Sequence, residues 1–347
     1  MDPVAVPVEC REKGSFALAG KSIEAPESLF LDEERSFQRA VITGEPHAPA
    51  CRVKSAAEIG EFNGHRPSYR LRAFYRNDLA ITLASLDGNP DTHMMIDRMF
   101  SLEGKRALVT GASRGIGRAI AEGLAAAGAD MAIAARRLDS LDDTAAAIRA
   151  LGRKATPVAM DVTQVATIRA GVAEAAVTLG GLDILVNNAG IEQVAPSLDI
   201  EENLWDRIVD TNLKGAFFTA QSAARLMKKG GVILNICSLT SERGVPTAVP
   251  YGSSKTGLLG ATRALAVEWA PIGIRVNALA PGYFRTALTE GFYQNEDWQE
   301  AMLGKIPMNR FGELDDLVGA SIFLCSDASR YVTGACLPVD GGTLASL

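Results

Sequence analysis

After about residue 100, short β-branched runs alternate with alanine-rich stretches, and this alternation constrains the fold more than any other feature of the sequence. The predicted strands are Lys105–Thr110, Met131–Ala135, Ala155–Met160, Ile184–Val186, Val232–Ile236, Arg275–Ala278 and Cys336–Val339. The clearest predicted helices are Ile116–Ala127, Asp139–Leu151, Leu204–Met227, Ser253–Trp269 and Leu314–Leu324. Apolar strands separated by helices indicate a parallel sheet covered on both faces. We therefore predict a doubly wound α/β fold with a mostly parallel seven-stranded sheet.

The first 98 residues lack this pattern, because no apolar period of a helix or a strand persists there. The alternation from Tyr69 to Tyr75 predicts one short strand, which Asn77-Asp78 interrupts. We predict a poorly ordered N-terminal extension over residues 1–98, followed by one domain over residues 99–347. Two alternatives are a misassigned start, with true initiation at Met94, Met95 or Met99, and a partner-binding or regulatory arm.

Composition argues against several classes of function. The net charge of −6 gives no support to nucleic-acid or anionic-membrane binding, and no apolar run reaches the roughly 18 residues of a membrane span. The start, Met1-Asp2-Pro3, lacks a secretory signal, and five scattered cysteines without a C-x-x-C pair fit a reducing cytoplasm. All three histidines precede residue 95, which disfavours Ser-His-Asp hydrolysis and a His-ligated metal in the main domain. We predict no metal site.

A glycine-rich turn, Thr110–Gly117, separates the first predicted strand of the main domain from its helix. Gly111 permits a tight turn, Gly115 lets the backbone approach a pyrophosphate, and Gly117 lets helix and sheet pack closely. The N–H groups at the helix N-terminus would then face the anion. The spacing G-x-x-x-G-x-G without G-K-[ST] excludes a P-loop. The context predicts a dinucleotide site, whereas a flexible connection is the structural alternative.

The end of the second strand indicates which dinucleotide binds. An acidic residue there would hold the ribose 2′-hydroxyl of NAD, but the sequence has Arg136 and Arg137 instead. Arg136 can bind a 2′-phosphate through charge-assisted hydrogen bonds, and Arg114 can add to that contact. We predict NADP(H) as the preferred cofactor, with NAD(H) possible; solvated surface arginines are the alternative. Asp161 is predicted to contact the adenine edge or, alternatively, to cap the next helix.

A second group of residues can move a proton. Tyr251 and Lys255 are four apart on a predicted helix, so their side chains share one face. A lysine ammonium within about 4–6 Å can lower a tyrosine pKa by about 1–3 units, which predicts an acid/base near neutral pH. Ser238 follows an apolar strand, at the sheet edge where such folds bind ligands, and can hydrogen-bond a substrate oxygen.

These motifs, in this order, resemble those of the short-chain dehydrogenase/reductase family of Rossmann-fold enzymes. The resemblance runs from about Phe100 to Gly342 and includes Thr110–Gly117, Asn187–Gly190, Asn212, Ser238, Tyr251, Lys255, Pro281–Gly282 and Val339–Gly342. It implies that Tyr251 is the acid/base and that Lys255 lowers its pKa and binds the nicotinamide ribose. It further implies that Ser238 orients the carbonyl and that Asn212 holds a water linking Lys255 to solvent.

The resemblance also implies a set of cofactor contacts. They are Gly111, Ser113, Arg114, Gly115, Ile116, Gly117, Arg136, Asp161, Val162, Asn188, Ala189, Gly190, Tyr251, Lys255, Pro281 and Gly282. Cys237 stands where relatives often have serine, and we assign it no redox role. A homotetramer is expected, because relatives associate through the helices that correspond to Leu204–Met227 and Ser253–Trp269.

The substrate is predicted to be a small carbonyl compound or alcohol. Residues 281–312 correspond to a lid, and its aromatic side chains either contact substrate or merely pack the lid. The polar residues that follow motifs near the sheet edge would suit a polyhydroxy compound or a carboxylate: Glu192, Gln193, Glu242, Arg243 and Arg285. The chain resembles gluconate 5-dehydrogenase-type members most, which implies a sugar, sugar acid or polyol. Alternatives are a 3-oxoacyl-carrier-protein reductase-like ketoreductase and a catalytically silent NADP-binding regulator.

Overall fold

The chain divides into two units, Met1–Asp97 and Arg98–Leu347. The structure, a computed structural model, describes residues 9–11, 15–18, 21–24, 41–42, 71–74, 81–85, 90–228, 230–287 and 289–346, with side chains from residue 95 onward. Within these residues, no helix combines the length and apolar character that crossing a bilayer requires.

The N-terminal unit contains two small antiparallel sheets. Strands β1 (Glu9–Arg11), β2 (Ser15–Leu18) and β3 (Lys21–Glu24) pair in that order. Strands β4 (Val41–Ile42), β5 (Leu71–Phe74) and β6 (Ile81–Ser85) pair in the order β4-β6-β5. The strand predicted between Tyr69 and Tyr75 corresponds to β5. The predicted poor order of the extension concerns residues that lie mostly outside those described. Helix α1 (Pro90–Phe100) leads into the second unit.

The C-terminal unit is built on one parallel sheet. Its strands are β7 (Arg106–Thr110), β8 (Asp130–Ala135), β9 (Ala155–Ala159), β10 (Ile184–Asn187), β11 (Gly231–Ile236), β12 (Ile274–Pro281) and β13 (Cys336–Val339). They lie in the order β13-β12-β11-β10-β7-β8-β9, and every pairing is parallel. The predicted seven-stranded doubly wound sheet is confirmed, and β12 continues past the predicted Ala278 to Pro281.

Helices cover both faces of this sheet. They are α2 (Gly115–Ala126), α3 (Asp142–Ala150), α4 (Val165–Leu179), α5 (Glu202–Val209), α6 (Ala216–Ala224), α7 (Val249–Trp269), α8 (Glu290–Tyr293), α9 (Glu296–Leu303) and α10 (Asp316–Cys325). Successive strand residues point to opposite faces, so Leu108 packs with α4, α6 and α7 while Val109 packs with α2, α3 and α10. Each fully buried leucine or isoleucine contributes roughly 1.5–3 kcal/mol.

The predicted single helix over Leu204–Met227 is interrupted. Helix α5 is followed by a π-helical turn, Asp210–Gly215, then by α6, which ends at Ala224. A Cβ at Gly215 would lie 2.4 Å from the carbonyl oxygen of Val162, so the turn approaches the chain that follows β9 too closely for any side chain. Turns of this kind are often found at functional sites.

Because all strands are parallel, the loops that follow them meet at one edge of the sheet. That edge receives the glycine turn after β7, Arg136 after β8, Asp161 after β9, Asn188 after β10 and Ser238 after β11. The predicted lid over residues 281–312 follows β12 and contains α8 and α9.

Candidate active site

The glycine turn is held in shape by close backbone contacts. Gly111 has φ +65°, and a Cβ there would lie 2.9 Å from the Cα of Ala189. A Cβ at Gly117 would lie 2.3 Å from both the carbonyl oxygen of Gly111 and the side-chain nitrogen of Asn188. These two positions therefore accept only glycine, and at Gly117 the close approach is to Gly111 and Asn188.

Asn188 holds the turn in place. Its side-chain amide donates to the carbonyl oxygens of Thr110 and Gly111, at 3.0 Å each. The Thr110 hydroxyl oxygen in return accepts the N–H groups of Asn188 and Ala189, also at 3.0 Å. The side-chain nitrogen and the backbone N–H of Asn188 are therefore both bonded within the protein, and the cofactor contact of this residue stays a prediction.

The N-terminus of α2 has the features of an anion site. The residue before the helix, Arg114, has extended backbone and makes no side-chain cap. The first N–H groups of an uncapped helix and the positive end of its dipole favour a phosphate. A Cβ at Gly115 would meet only the side chain of Thr286, at 3.6 Å. The residues thus fit a pyrophosphate, and the methyl side of Thr286, which sequence reasoning missed, lies beside the turn.

Three exposed arginines lie in the glycine turn and after β8: Arg114, Arg136 and Arg137. A hydrogen bond of 3.2 Å from Ala112 to the carbonyl of Ala134 joins the glycine turn to the end of β8. Arg137 forms a bidentate pair with Asp139, at 3.0 and 2.7 Å. Arg136 and Arg114 have no carboxylate partner among the described residues. These two side chains, and not Arg137, are free to take a 2′-phosphate.

Asp161 closes the turn before α4, which agrees in part with the alternative that it caps this helix. Its Oδ1 atom accepts the N–H of Thr163 at 3.0 Å and the hydroxyl of Thr163 at 2.8 Å. This closes the turn before α4, whose N-cap residue is Gln164. The Oδ2 atom accepts no hydrogen bond from the described residues, and the adenine contact stays a prediction.

Helix α7 brings Tyr251 and Lys255 together as the spacing predicts. The ammonium of Lys255 lies 5.7 Å from the centroid of the Tyr251 ring. It donates a 2.7 Å hydrogen bond to the carbonyl of Ile236, the last residue of β11. Lys255 is 4% exposed, so the sheet and the helix together fix a buried cation at this edge.

Ser238 lies two residues after Ile236, whose carbonyl accepts the Lys255 hydrogen bond. Its Oγ accepts the N–H of Thr240 at 3.2 Å and so caps a short 3₁₀ turn, Leu239–Ser241. The buried Ser238 hydroxyl lies near enough to the Tyr251 phenol to lower its pKa. The structure thus brings a hydroxyl, a phenol and an ammonium to one place, where a carbonyl oxygen can be held and protonated.

The pKa of the phenol is governed mainly by burial. Burial raises the pKa of Tyr251, the negative charge of Glu192 raises it further, and the neighbouring Ser238 hydroxyl lowers it. This net direction is opposite to the lowering expected from Lys255, because burial dominates and the ammonium bonds a carbonyl instead of the phenol. Burial also lowers the pKa of Lys255, against the opposing charges of Cys237 and Glu192.

Asn212 lies in the π-helical turn and grips the chain after β10. Its Oδ1 accepts the N–H of Ile191 at 2.8 Å, and its Nδ2 donates to the carbonyl of Ile191 at 2.9 Å. Nδ2 also contacts the Ser254 hydroxyl at 3.1 Å, and that hydroxyl donates to the carbonyl of Tyr251. Asn212 therefore ties helix α7 to the loop that follows β10, while its role in holding a water stays a prediction.

A buried amide ladder, which sequence reasoning missed, supports this arrangement. Asn187 on β10 donates to Asn235 on β11 at 2.9 Å, and Asn235 donates to Thr262 on α7 at 2.9 Å. All three are buried. The ladder fixes α7 against the two strands. Its sequence signal is an asparagine at or near the end of each of two otherwise apolar strands.

The lid aromatics mostly pack against each other. Trp298 stacks on Phe292 at 5.6 Å and on Phe311 at 6.1 Å between ring centroids, and Tyr293 meets both Trp298 and Phe311 edge-on. The lid aromatics thus contact one another around the indole of Trp298, which favours the alternative that they pack the lid over the alternative that they contact substrate. Tyr283, at the start of the lid, touches the edge of this cluster.

The structure separates the five polar substrate candidates into two groups. Arg285 pairs with Glu290, Glu242 lies 3.6 Å from Arg263, and Gln193 bonds Arg207. Glu192 and Arg243 form no such pair among the described side chains. Cys237 is buried, and burial raises the pKa of its thiol, which does not favour redox chemistry. The described residues contain no cluster of metal-binding side chains.

Comparison with known proteins adds to this geometry. A family model described as enoyl-(acyl carrier protein) reductase matches residues 111–343. Gluconate 5-dehydrogenase of Gluconobacter oxydans is 42% identical over 251 residues, covering 72% of this chain and 98% of that protein. A crystal structure described provisionally as a short-chain alcohol dehydrogenase, from Sinorhizobium meliloti 1021, is 61% identical, with TM-score 0.71, over 72% of this chain and 100% of its own. A gluconate 5-dehydrogenase from Burkholderia cenocepacia in complex with NADP and tartrate is 39% identical, with TM-score 0.71, over 73% of this chain and 100% of its own.

Proposed function

Because the chain belongs to the short-chain dehydrogenase/reductase family, it is an NAD(P)-dependent oxidoreductase, and we propose that it interconverts a secondary alcohol and a ketone on a sugar acid, sugar or polyol. The observation that carries this proposal is the convergence of Ser238, Tyr251 and Lys255 at the sheet edge, beside the glycine turn. Relatives named for gluconate chemistry favour a sugar acid over a substrate on acyl carrier protein. A complete catalytic set does not favour a silent regulator.

The proposed cofactor is NADP(H), with NAD(H) as a weaker alternative. The N-terminus of α2 would hold the pyrophosphate, and Arg136 with Arg114 would hold the 2′-phosphate. The relative from Burkholderia cenocepacia was crystallised with NADP, which supports this choice. When bound, NADP(H) supplies or accepts the hydride at its nicotinamide ring.

The side chains of the site handle the proton. In the reductive direction, Ser238 donates a hydrogen bond to the carbonyl oxygen and Tyr251 gives it a proton. In the oxidative direction, the Tyr251 phenolate takes that proton back from the alcohol. A raised pKa keeps Tyr251 protonated at neutral pH, which is the form that reduction requires. Lys255 lies beside the ring and stabilises the negative charge left on the phenolate.

The test is the Tyr251→Phe variant of the full chain. We expect NADPH oxidation with 5-ketogluconate to fall by roughly 10²–10⁴-fold, because general acid catalysis is removed. NADPH affinity, measured by fluorescence, should stay close to that of the native protein. Tyr331→Phe is the matched control, since Tyr331 is fully exposed and should retain full activity. An active Tyr251→Phe protein would refute the mechanism.

The proposed assembly is a homotetramer acting in the cytoplasm. Exposed apolar side chains on α5 and α7, Trp205 at 38% and Val267 at 79%, support association through these helices. Light scattering of the native protein and of Val267→Asp measures the assembly: a native mass of one chain, or an unchanged tetramer in the variant, would contradict this interface. Use of the nicotinamide dinucleotide pool and three free thiols in the described residues support the cytoplasm.

A further inference from the structure

Glu192 lies in the loop that follows β10, and this loop passes beside Lys255. Asn212 binds both the N–H and the carbonyl of Ile191, which fixes the peptide that leads into Glu192. A Cβ at Gly190, two residues before Glu192, would lie 3.5 Å from the ammonium of Lys255. The negative charge of the half-buried Glu192 also raises the pKa of Tyr251 and of Lys255.

This carboxyl has no hydrogen-bond donor in the part of the chain that the structure describes. Burial raises the pKa of Glu192, and the charge of Lys255 only opposes that shift. A half-buried carboxylate without donors is costly, because its lost hydration is not replaced. A hydroxyl group is the simplest donor that a small ligand can bring to it.

Arg243 has the complementary property. Its side chain is half-buried, and one guanidinium nitrogen donates to the carbonyl of Ser346 at 2.9 Å. No carboxylate lies within 4 Å of it among the described side chains, in contrast to Arg285, which is paired with Glu290. A guanidinium has five N–H donors in a fork that matches a carboxylate, so most of its capacity is unused.

Glu192, Arg243 and Tyr283 lie in the loops that follow three adjacent parallel strands, β10, β11 and β12. Tyr283 is the second residue after β12. Burial is the main cause of the raised pKa of Tyr283, while the charge of Arg243 lowers it and that of Glu192 raises it. Among the described side chains, Glu192 and Arg243 form no ion pair with each other, so both charges at this edge of the sheet are available to a ligand.

We propose that Glu192 and Arg243 are the specificity-determining residues, and that they select a polyhydroxy acid. Glu192 accepts a hydrogen bond from a hydroxyl beside the reacting carbon. Arg243 binds the substrate carboxylate, several carbons away. This assignment rests on the proposed sugar-acid oxidoreductase activity and names the side chains that recognise the substrate.

The test compares two probes of the same carbon skeleton, D-gluconate and D-glucitol, which differ in the carboxylate. For Arg243→Met, the KM for gluconate should rise at least about tenfold, while kcat and the constants for glucitol stay near native values. Arg285→Met is the matched control and should change neither probe, since Arg285 is exposed and paired on the surface. An equal loss with both probes would show a structural role and overturn the assignment of Arg243.

Glu192→Ala should instead raise the KM for both probes by at least about tenfold, because both carry the hydroxyl. Glu192→Gln, which keeps one acceptor oxygen, should recover part of that loss, and Glu242→Ala serves as the exposed control. An unchanged KM in Glu192→Ala would overturn its role. If the native protein oxidises NADPH with other ketones but turns over neither D-gluconate nor D-glucitol, the sugar-acid function itself is contradicted. If the native protein turns over the probes but the Glu192 and Arg243 variants keep the native KM, only this inference is contradicted.

Discussion

Lys255 and Arg136 both bring a positive charge to the cofactor cleft, but the protein fixes the first and leaves the second in solvent. Lys255 is 4% exposed and bonded to the carbonyl of Ile236, whereas Arg136 is exposed and has no carboxylate partner among the described residues. A buried charge costs several kcal/mol of desolvation, roughly, and is retained where its position matters. An exposed arginine becomes ordered only when its ligand arrives. In the proposed function, chemistry therefore depends on a preformed cation, Lys255, and cofactor choice depends on an exposed one, Arg136.

Removal of the preformed cation should have the largest effect. Lys255→Met should lower kcat by roughly 10²-fold or more, because Tyr251 loses the charge that stabilises its phenolate. The free energy of unfolding should not fall, since an apolar side chain of similar length replaces a buried charge. Steady-state kinetics and urea denaturation test the two halves separately. A kcat near the native value in Lys255→Met would show that the reaction does not depend on the buried cation.

Removal of the adaptable cation should affect binding alone. Arg136→Ala should raise the Kd for NADPH by roughly 10–100-fold, the value of a charge-assisted hydrogen bond, and leave the Kd for NADH unchanged. Arg137→Ala is the matched control, because Arg137 is already bound to Asp139. Fluorescence titration with both nucleotides gives the four constants. Equal weakening of NADPH and NADH would exclude a 2′-phosphate contact.

The amide ladder tests how far the catalytic end depends on its support. Asn235→Ala removes one hydrogen bond each from Asn187 and Thr262 in the core, which should lower the free energy of unfolding by about 1–3 kcal/mol. We expect kcat to change less than in Lys255→Met. Asn295→Ala, which removes an exposed cap of α9, should cost only about 1 kcal/mol. A smaller loss in Asn235→Ala than in Asn295→Ala would show that the ladder does not hold the core.

The smallest expected effect is a shift in pH dependence. The negative charge of Glu192 raises the pKa of Tyr251, so Glu192→Gln should lower that pKa. Oxidation needs the phenolate and should rise with pH through the Tyr251 pKa, so the profile of the variant should move to lower pH. Lys255 and Cys237 also lie near this group and stay unchanged in the variant. A shift to higher pH would reverse the assigned direction.

Much of the architecture could be predicted because it depends on local pattern. An apolar run as short as Ile184–Val186 is too short for a helix and therefore predicts a strand. Because the strands are parallel, Gly111, Asp161 and Ser238, which follow three of them, lie at one edge of the sheet. The sequence position directly after β8 also predicts Arg136 as the 2′-phosphate ligand. Only the structure shows that the neighbouring Arg137 is paired with Asp139.

The rest depends on packing that no local pattern carries. The direction of the Tyr251 pKa could not be predicted from its distance to Lys255, because burial by the surrounding fold outweighs that charge. Likewise, Val209, Leu213 and Phe217 keep the four-residue spacing of an α-helix across Asp210–Gly215, so the apolar pattern does not predict a π-helical turn. The asparagines of the ladder were visible in the sequence, but their pairing required the register of β10 and β11.

The π-helical turn makes the site depend on chain length as well as on residue type. A π turn contains about one residue more than an α turn, and each helical residue rotates its side chain by about 100°. Deleting one residue between Asp210 and Gly215 would restore a regular helix and swing Asn212 away from both atoms of Ile191 that it binds. A frame-preserving deletion here should therefore do more harm than most point mutations.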